Sequence, residues 1–455
     1  MTDPNVVRRL IPRQLDATPF ALATLKKHPS PDIGRSTPEV NDLGLSVPRP
    51  DDHVASEQQT PDEHFRKQDL SQTNYITIEG RRLLNFASNN YLGLANDPRV
   101  IQAAIEATRT WGTSSGSSPL LSGHTQLHQE LADNLSAWKS GAVIGSRDLQ
   151  INPAHLDIGT ILFASGYSAN LAAMNAIFEH DAQVFCDRKN HASLIDGLRL
   201  AGQNLDALTV RHYRHQDFDQ LATLLASSSQ SRPRWIVTDS VFSMDGTMTS
   251  PDDLLEIAQR FQAGVIADEA HATGVLGPTG SGLFSFASDK ACFPKLVVVG
   301  TLSKALAASG GFITADKATI NSLVQSARPL IYSTGLPPAS VAAAWKAAGI
   351  ACGDPHLRSC LSNHIQRLHD GLFAQGWQVM GSSKAPLLSV IVGTVETSQT
   401  IAKQLHDLGI YAPPIRPPTV KPHQCRIRIS PTASMSESQI DVILNAFDQL
   451  SRPVI

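Results

Sequence analysis

The chain predicts an α/β protein, a mainly parallel sheet covered by helices with a smaller α+β lobe after it. Three observations carry this. Gly264-Val265-Ile266-Ala267-Asp268 and Leu296-Val297-Val298-Val299-Gly300 are apolar runs of the kind that sit in parallel strands buried on both faces. Strand and helix patterns alternate from about residue 74 to about residue 325. Beyond Pro337-Pro338 the pattern changes to an Ala-rich helix over 339–351, then helices with short strands, and a final helix near 437–450.

In chain order, residues 5–27 predict a short helix marked by Val6, Leu10, Leu15 and Leu22. Residues 28–72 are rich in Pro, Asp, Ser and Gln and read as a long polar loop. Tyr75 to Phe86 predicts a hairpin turning at Glu79-Gly80. Helices are expected over 98–110, where Asp97-Pro98 is a helix start, over 127–138 and over 251–261. Residues 139–158 read as a polar surface insertion. These elements divide the chain into 1–85 (helix, polar insert and hairpin), 86–333 (the large α/β domain) and 334–455 (the smaller α+β domain).

The chemistry concentrates at strand ends. The run from Leu296 delivers Lys304 into a turn of small residues closed by Gly310-Gly311. A lysine there can lose hydration, have its pKa depressed and become nucleophilic, as a Schiff-base lysine requires; alone it could be a surface lysine. Asp268 ends its strand where open α/β sheets place ligands, and it can hold a pyridine nitrogen protonated; alone it could cap a helix. Glu269 is expected to continue out of the strand, while Asp268 and His271 turn toward one pocket. His191 follows Phe185-Cys186-Asp187 and could stack on a flat ring or cap a helix. Ser165-Gly166-Tyr167-Ser168 opens an Ala-rich helix, and such a terminus offers amides to a phosphate. Tyr167 could stack on a ring or be core.

Several classes are excluded. Asp268-Glu269-Ala270-His271 spells the box of a nucleic-acid-dependent ATPase, but no Gly-Lys-Ser/Thr follows a glycine loop anywhere. A formal charge of −3 with no basic stripe speaks against nucleic-acid binding. No apolar run reaches the roughly 20 residues of a membrane span. Met1-Thr2-Asp3-Pro4 lacks the apolar region of a signal peptide. Five scattered cysteines fit a reducing cytoplasm, and no paired-cysteine metal site is present. A metal-dependent hydrolase on Asp268, His271 and His191 stays open at this level.

The motifs together resemble the α-oxoamine synthases, pyridoxal 5'-phosphate (PLP) enzymes of fold type I. They are Ser88-Asn89-Asn90-Tyr91-Leu92-Gly93-Leu94, Gly116-Ser117-Ser118 with Leu121-Ser122-Gly123, Asn190 to Gly197, Val241 to Gly246, Asp268 to Gly277, Gly300 to Lys304 and Tyr332-Ser333-Thr334. The resemblance spans the chain from about residue 83 and implies a seven-stranded sheet, PLP as cofactor, no metal and a homodimer. It implies Lys304 as Schiff-base lysine and base, Asp268 on the pyridine nitrogen, His271 and Ser243 toward the phenolic oxygen, and His191 over the ring. Gly166, Tyr167 and Thr301 would lie at the phosphate, with Thr334 reaching the phosphate of the neighbouring subunit. Arg428 and Asn89 would hold the amino-acid carboxylate, although strand alternation in Arg426-Ile427-Arg428-Ile429 by itself points both arginines outward. An N-terminal arginine near the acyl chain is implied as well, with Arg8, Arg9 and Arg13 as candidates.

Within the family, Arg416-Pro417-Pro418-Thr419 most resembles the branch that condenses L-alanine with a pimeloyl thioester, on coenzyme A or an acyl carrier protein, to 8-amino-7-oxononanoate for biotin. Glycine C-acetyltransferase, 5-aminolevulinate synthase and serine palmitoyltransferase types are the neighbouring alternatives.

Overall fold

The computed structural model describes residues 74–144, 157–205, 207–284, 286 and 295–452. The helix expected over 5–27, the polar stretch 28–72, the three candidate N-terminal arginines, Cys292 and most of the 139–158 insertion lie outside them.

Strands β1 (Tyr75–Ile78) and β2 (Arg81–Asn85) form the expected hairpin. Its turn residues Glu79 and Gly80 both have positive φ, 51° and 76°, the geometry of a tight two-residue connection. Helix α1 (Pro98–Trp111) starts at Asp97, whose side chain accepts from the Arg99 amide. Helix α2 (Gln126–Lys139) follows. Next come β3 (Ile158–Phe163), α3 (Gly166–Ala176), β4 (Gln183–Asp187), α4 (Ala192–Asn204), β5 (Thr209–Tyr213) and α5 (Phe218–Ala226). They are followed by β6 (Arg234–Asp239), α6 (Pro251–Arg260), β7 (Gly264–Asp268), β8 (Leu296–Thr301), β9 (Gly311–Asp316), α7 (Lys317–Ser326) and α8 (Arg328–Ile331).

Seven of these strands form one sheet in the order β3-β9-β8-β7-β6-β4-β5. Strand β9 runs antiparallel to both neighbours; the others are parallel. Every residue of β4, β6, β7 and β8 is buried, as the continuous apolar runs require when helices cover both faces. Gly264 and Gly300 leave room for large neighbours: a Cβ on Gly264 would lie 2.5 Å from the Trp235 ring, and one on Gly300 2.2 Å from the Phe312 ring.

The remaining elements are α9 (Pro338–Gly353), α10 (Pro355–Ala374), β10 (Val379–Met380), β11 (Leu388–Gly393), α11 (Val395–Asp407), β12 (Ile410–Tyr411), β13 (Pro414–Ile415), β14 (Cys425–Ile429) and α12 (Glu437–Gln449). A four-stranded antiparallel sheet, β10-β11-β14-β13, carries this smaller lobe. The hairpin joins it: β2 pairs in parallel with β12, and Leu84 and Phe86 share a core with Leu388, Ile429 and Phe447. Among the described residues, no helix is long and apolar enough to cross a membrane.

One sequence expectation needs correction. Alternation turned both arginines of β14 outward, yet all five residues of that strand are buried, because loop 243–246 of the large domain covers the face that would otherwise meet water. Glu269 continues out of the strand as expected, since β7 closes at Asp268. It is fully buried and bonded to Lys139 (Nζ to Oε2, 2.5 Å) and to the amides of Leu283 and Phe284.

Candidate active site

The loops leaving the C-terminal ends of β3, β4, β6, β7 and β8 converge on one place, the end of a doubly covered parallel sheet where ligands bind. They bring Gly166, His191, Asp239, Asp268 with His271, and Lys304 together.

Lys304 follows β8 in a turn held by Leu302 N to Gly310 O (2.9 Å) and Ala308 N to Leu302 O (2.8 Å). Burial lowers its pKa from 10.5 to about 8; the Asp268 and Asp239 charges oppose the shift and Arg428 adds to it. Half of these amines are therefore uncharged near pH 8, where an ordinary lysine is almost fully protonated.

Asp268 lies in register beside Asp239 on the neighbouring strand. Its Oδ1 accepts from the Ala270 amide (2.8 Å) and its Oδ2 from Asn170 Nδ2 (2.6 Å). The segment after it is a turn rather than a helix, so the capping alternative does not apply. Burial first, and the Asp268 charge second, push Asp239 well above the usual carboxyl range. Asp239 Oδ2 also takes the His191 amide at 2.8 Å.

The capping role of His191 is present. The residue caps α4, its ring accepting from the Ser193 amide, and it stands open beside Asp268 and Lys304, whose charges it feels. Its pKa is lowered, by burial above all and by Lys304. His271 is buried, its Nδ1 2.6 Å from the Tyr91 hydroxyl. Burial holds His271 well below its ordinary pKa, and the Lys304, Arg428 and His191 charges act the same way. Burial raises the Tyr91 hydroxyl to about 12.

Arg428 is 7% exposed, yet its partners are neutral: Nε donates to the Ser243 carbonyl (2.8 Å) and Nη2 to Asn89 Oδ1 (3.0 Å). Among the described residues, no carboxylate lies within ion-pair distance of it. A buried guanidinium without a counterion is a receptor for a carboxylate brought by a ligand.

At the other end, Gly166 and Tyr167 open α3. Ser165 caps the helix through its Oγ, which accepts from the Ser168 amide (3.0 Å). A Cβ on Gly166 would come within 3.0 Å of the Thr301 Cβ and 3.2 Å of its Oγ1. Thr301 Oγ1 bonds the Gly310 carbonyl (3.0 Å) and meets Ser303 Oγ at 2.8 Å, so the exposed Ser303 hydroxyl joins this end. Tyr167 is 43% exposed, its hydroxyl 2.5 Å from Asp196 Oδ2, which rules out the core alternative. Thr334 is exposed.

The donor set fits PLP. A lysine with a lowered pKa, a carboxylate deep in the pocket and a helix N-terminus with adjoining hydroxyls match its aldehyde, ring nitrogen and phosphate. Five residues in this network escaped the sequence reading. Tyr91 stands inside a quoted motif and Asn170 two residues past another, and neither has a neighbour along the chain that marks it. Ser193 and Ser303 are common residues beside flagged ones. Asp239 had a visible signal, since Trp235-Ile236-Val237-Thr238-Asp239 ends like the β7 run.

Fold and site together define a fold type I PLP-dependent enzyme. The family model for aminotransferase class I and II matches residues 81–447, and the chain belongs to that family. Within it the chain is an α-oxoamine synthase, a PLP-dependent acyltransferase. It is 37% identical over 378 residues to 8-amino-7-oxononanoate synthase 2 of Bacillus subtilis, covering 82% of this chain and 90% of that one. It is 38% identical over 383 residues to 8-amino-7-oxononanoate synthase of Leptothrix cholodnii, covering 82% and 89%. Among solved structures, serine palmitoyltransferase of Sphingomonas wittichii superposes with a TM-score of 0.75 at 26% identity, covering 84% and 90%. The 8-amino-7-oxononanoate synthase of Francisella tularensis superposes at 0.64 and 25%, covering 81% and 97%. Family membership sets aside the metal-hydrolase alternative on Asp268, His271 and His191.

Proposed function

We propose that the protein condenses L-alanine with a pimeloyl thioester, with loss of the alanine carboxylate, to give 8-amino-7-oxononanoate, carbon dioxide and the free thiol. The observation that carries this reading is Arg428, a buried cation with neutral partners only, in the pocket that holds Lys304. It suits the carboxylate of an α-amino acid, with Asn89 fixed beside it. The names of the relatives support the acyl chemistry and the biotin pathway in this reading.

PLP, when bound, supplies an electron sink for negative charge at the amino-acid Cα. The chain's own residues do the rest. Lys304, uncharged in about half the molecules at pH 8, would hold the aldehyde and serve as the base for the α-proton. Asp268 would keep the ring nitrogen protonated. His191 would cover the ring, and His271, with Ser243, would serve the phenolic oxygen. Gly166, Tyr167 and Thr301 would hold the phosphate, and Thr334, exposed in the chain, would reach the phosphate site of a second copy in a homodimer. The acyl group arrives on coenzyme A or on an acyl carrier protein.

Thiol release measured with alanine, glycine and serine against acyl thioesters of several lengths tests the reading. Alanine with the pimeloyl thioester is expected to give the highest kcat/KM. A clear preference for glycine or serine would move the protein to another branch.

A further inference from the structure

Asp268 and His191 are joined by a hydrogen-bond chain of two buried residues. Asn170 and Ser193 are 2% and 0% exposed. Asn170 Nδ2 lies 2.6 Å from Asp268 Oδ2 and 2.8 Å from Ser193 Oγ; Ser193 Oγ lies 2.7 Å from His191 Nδ1.

The polarity of this chain follows from its fixed end. Asn170 turns its NH2 toward Asp268 Oδ2, which accepts from it, and the same NH2 supplies Ser193. The amide keeps this orientation although it leaves Asn170 Oδ1 buried with no partner among the described residues. Having accepted from Asn170, Ser193 Oγ has one hydrogen left, and its remaining neighbour in the chain is His191 Nδ1. The Ser193 backbone amide points at the same nitrogen at 3.3 Å. That amide can only donate, so Nδ1 is the acceptor and carries no hydrogen, which makes the Ser193 hydroxyl a second donor to it.

We propose that Asn170 and Ser193 are positioning residues that transmit the Asp268 charge to His191 and fix it as the Nε2–H tautomer, which presents one hydrogen-bond donor to the reacting face of the site. The lowered pKa of His191 agrees, since it keeps the ring neutral: burial and Lys304 oppose a charge there more than Asp268 and Asp196 favour it. In the condensation, the oxygen that gains negative charge is the thioester carbonyl, and a neutral N–H donor suits it. That use rests on the function proposed above; the tautomer does not.

The test is long-range proton–nitrogen NMR of the cofactor-free protein carrying 15N-histidine, with His191 assigned by a His191→Gln variant. The wild type is expected to show His191 with hydrogen on Nε2 alone. Ser193→Ala is expected to give a mixture of both tautomers, and Asn170→Ala a smaller change in the same direction. In the holoenzyme, Ser193→Ala is expected to lower kcat by about tenfold or more while the visible spectral change on adding alanine persists. A wild-type ring protonated on Nδ1, or an unchanged tautomer in Ser193→Ala, overturns the proposal. The wild-type spectrum decides even if a variant does not fold. If glycine or serine replaces alanine as substrate, the function fails while the tautomer result stands.

Discussion

Lys139 is fully buried and Lys304 half-buried, and desolvation is the first cause of the lowered pKa of both, yet their surroundings are opposite. Lys139 Nζ has three oxygens, Glu269 Oε2 at 2.5 Å, Thr273 Oγ1 at 2.9 Å and the Ser281 carbonyl at 2.5 Å, and Glu269 is itself capped by two amides. Lys304 has carboxylates near enough to act on its charge but, among the described residues, no bonded acceptor. The arginines of β14 repeat the contrast. Arg426 is paired with the Asp245 carboxylate, which Lys189 also holds, whereas Arg428 two residues on meets only neutral acceptors. The closed charges tie α2 to the 269–284 turn and the small sheet to the 243–246 loop. The open ones wait for a ligand. Burial alone therefore does not mark a functional cation; burial without a saturated partner set does.

The strongest test compares stability. Lys139→Ala leaves Glu269 charged and buried, and should cost about 3–5 kcal/mol of unfolding free energy in urea titrations. Lys304→Ala removes a desolvated cation, so the fold should hold or strengthen while turnover disappears. Equal destabilisation by both changes would break the contrast. Arg428→Ala should raise the KM for the amino acid by on the order of 10²-fold, a share of the roughly 2–5 kcal/mol attached to a buried charged contact. Arg426→Ala should mainly lower stability. Reversal of that pair would show that the bonded arginine, not the open one, meets substrate.

The pH response sharpens the same point. The unfolded chain binds the Lys304 proton up to about pH 10.5 and the folded chain only up to about 8. The group's penalty, at most about 3 kcal/mol, is present below pH 8 and relieved between pH 8 and 10.5. The stability gap between cofactor-free wild type and Lys304→Ala should narrow over that window. Labelling of Lys304 by an amine-reactive reagent should be half-maximal near pH 8. Asp268→Asn removes a charge that raises the Lys304 pKa, so the profile should move to lower pH. The smallest effect is expected from Gly166→Ala, whose methyl presses on Thr301 at 3.0 Å; PLP affinity, read by fluorescence titration, should fall by about 1–3 kcal/mol.

Most of the fold was legible because its signals are local. The helix predicted over 98–110 is Pro98–Trp111, that over 251–261 is Pro251–Arg260, and the last helix ends one residue early. The residues delivered by strand ends, Lys304, Asp268, His191 and Gly166, were legible for the same reason: an apolar run followed by a polar residue places that residue at the sheet edge. Arg428 was not legible from its strand, since alternation pointed it into water.

The sequence by itself determined the order of strands and helices, the positions of the lysine and the aspartate at sheet ends, and the family, because periodicity and short motifs depend only on neighbours along the chain. Tertiary structure decided which charges are closed and which stay open. Glu269 finds Lys139 from 130 residues away, Arg426 finds Asp245 across 181, and Arg428 finds Asn89 across 339. Such partners are chosen by packing in three dimensions, and a buried charge takes its meaning from what lies within a few ångströms of it.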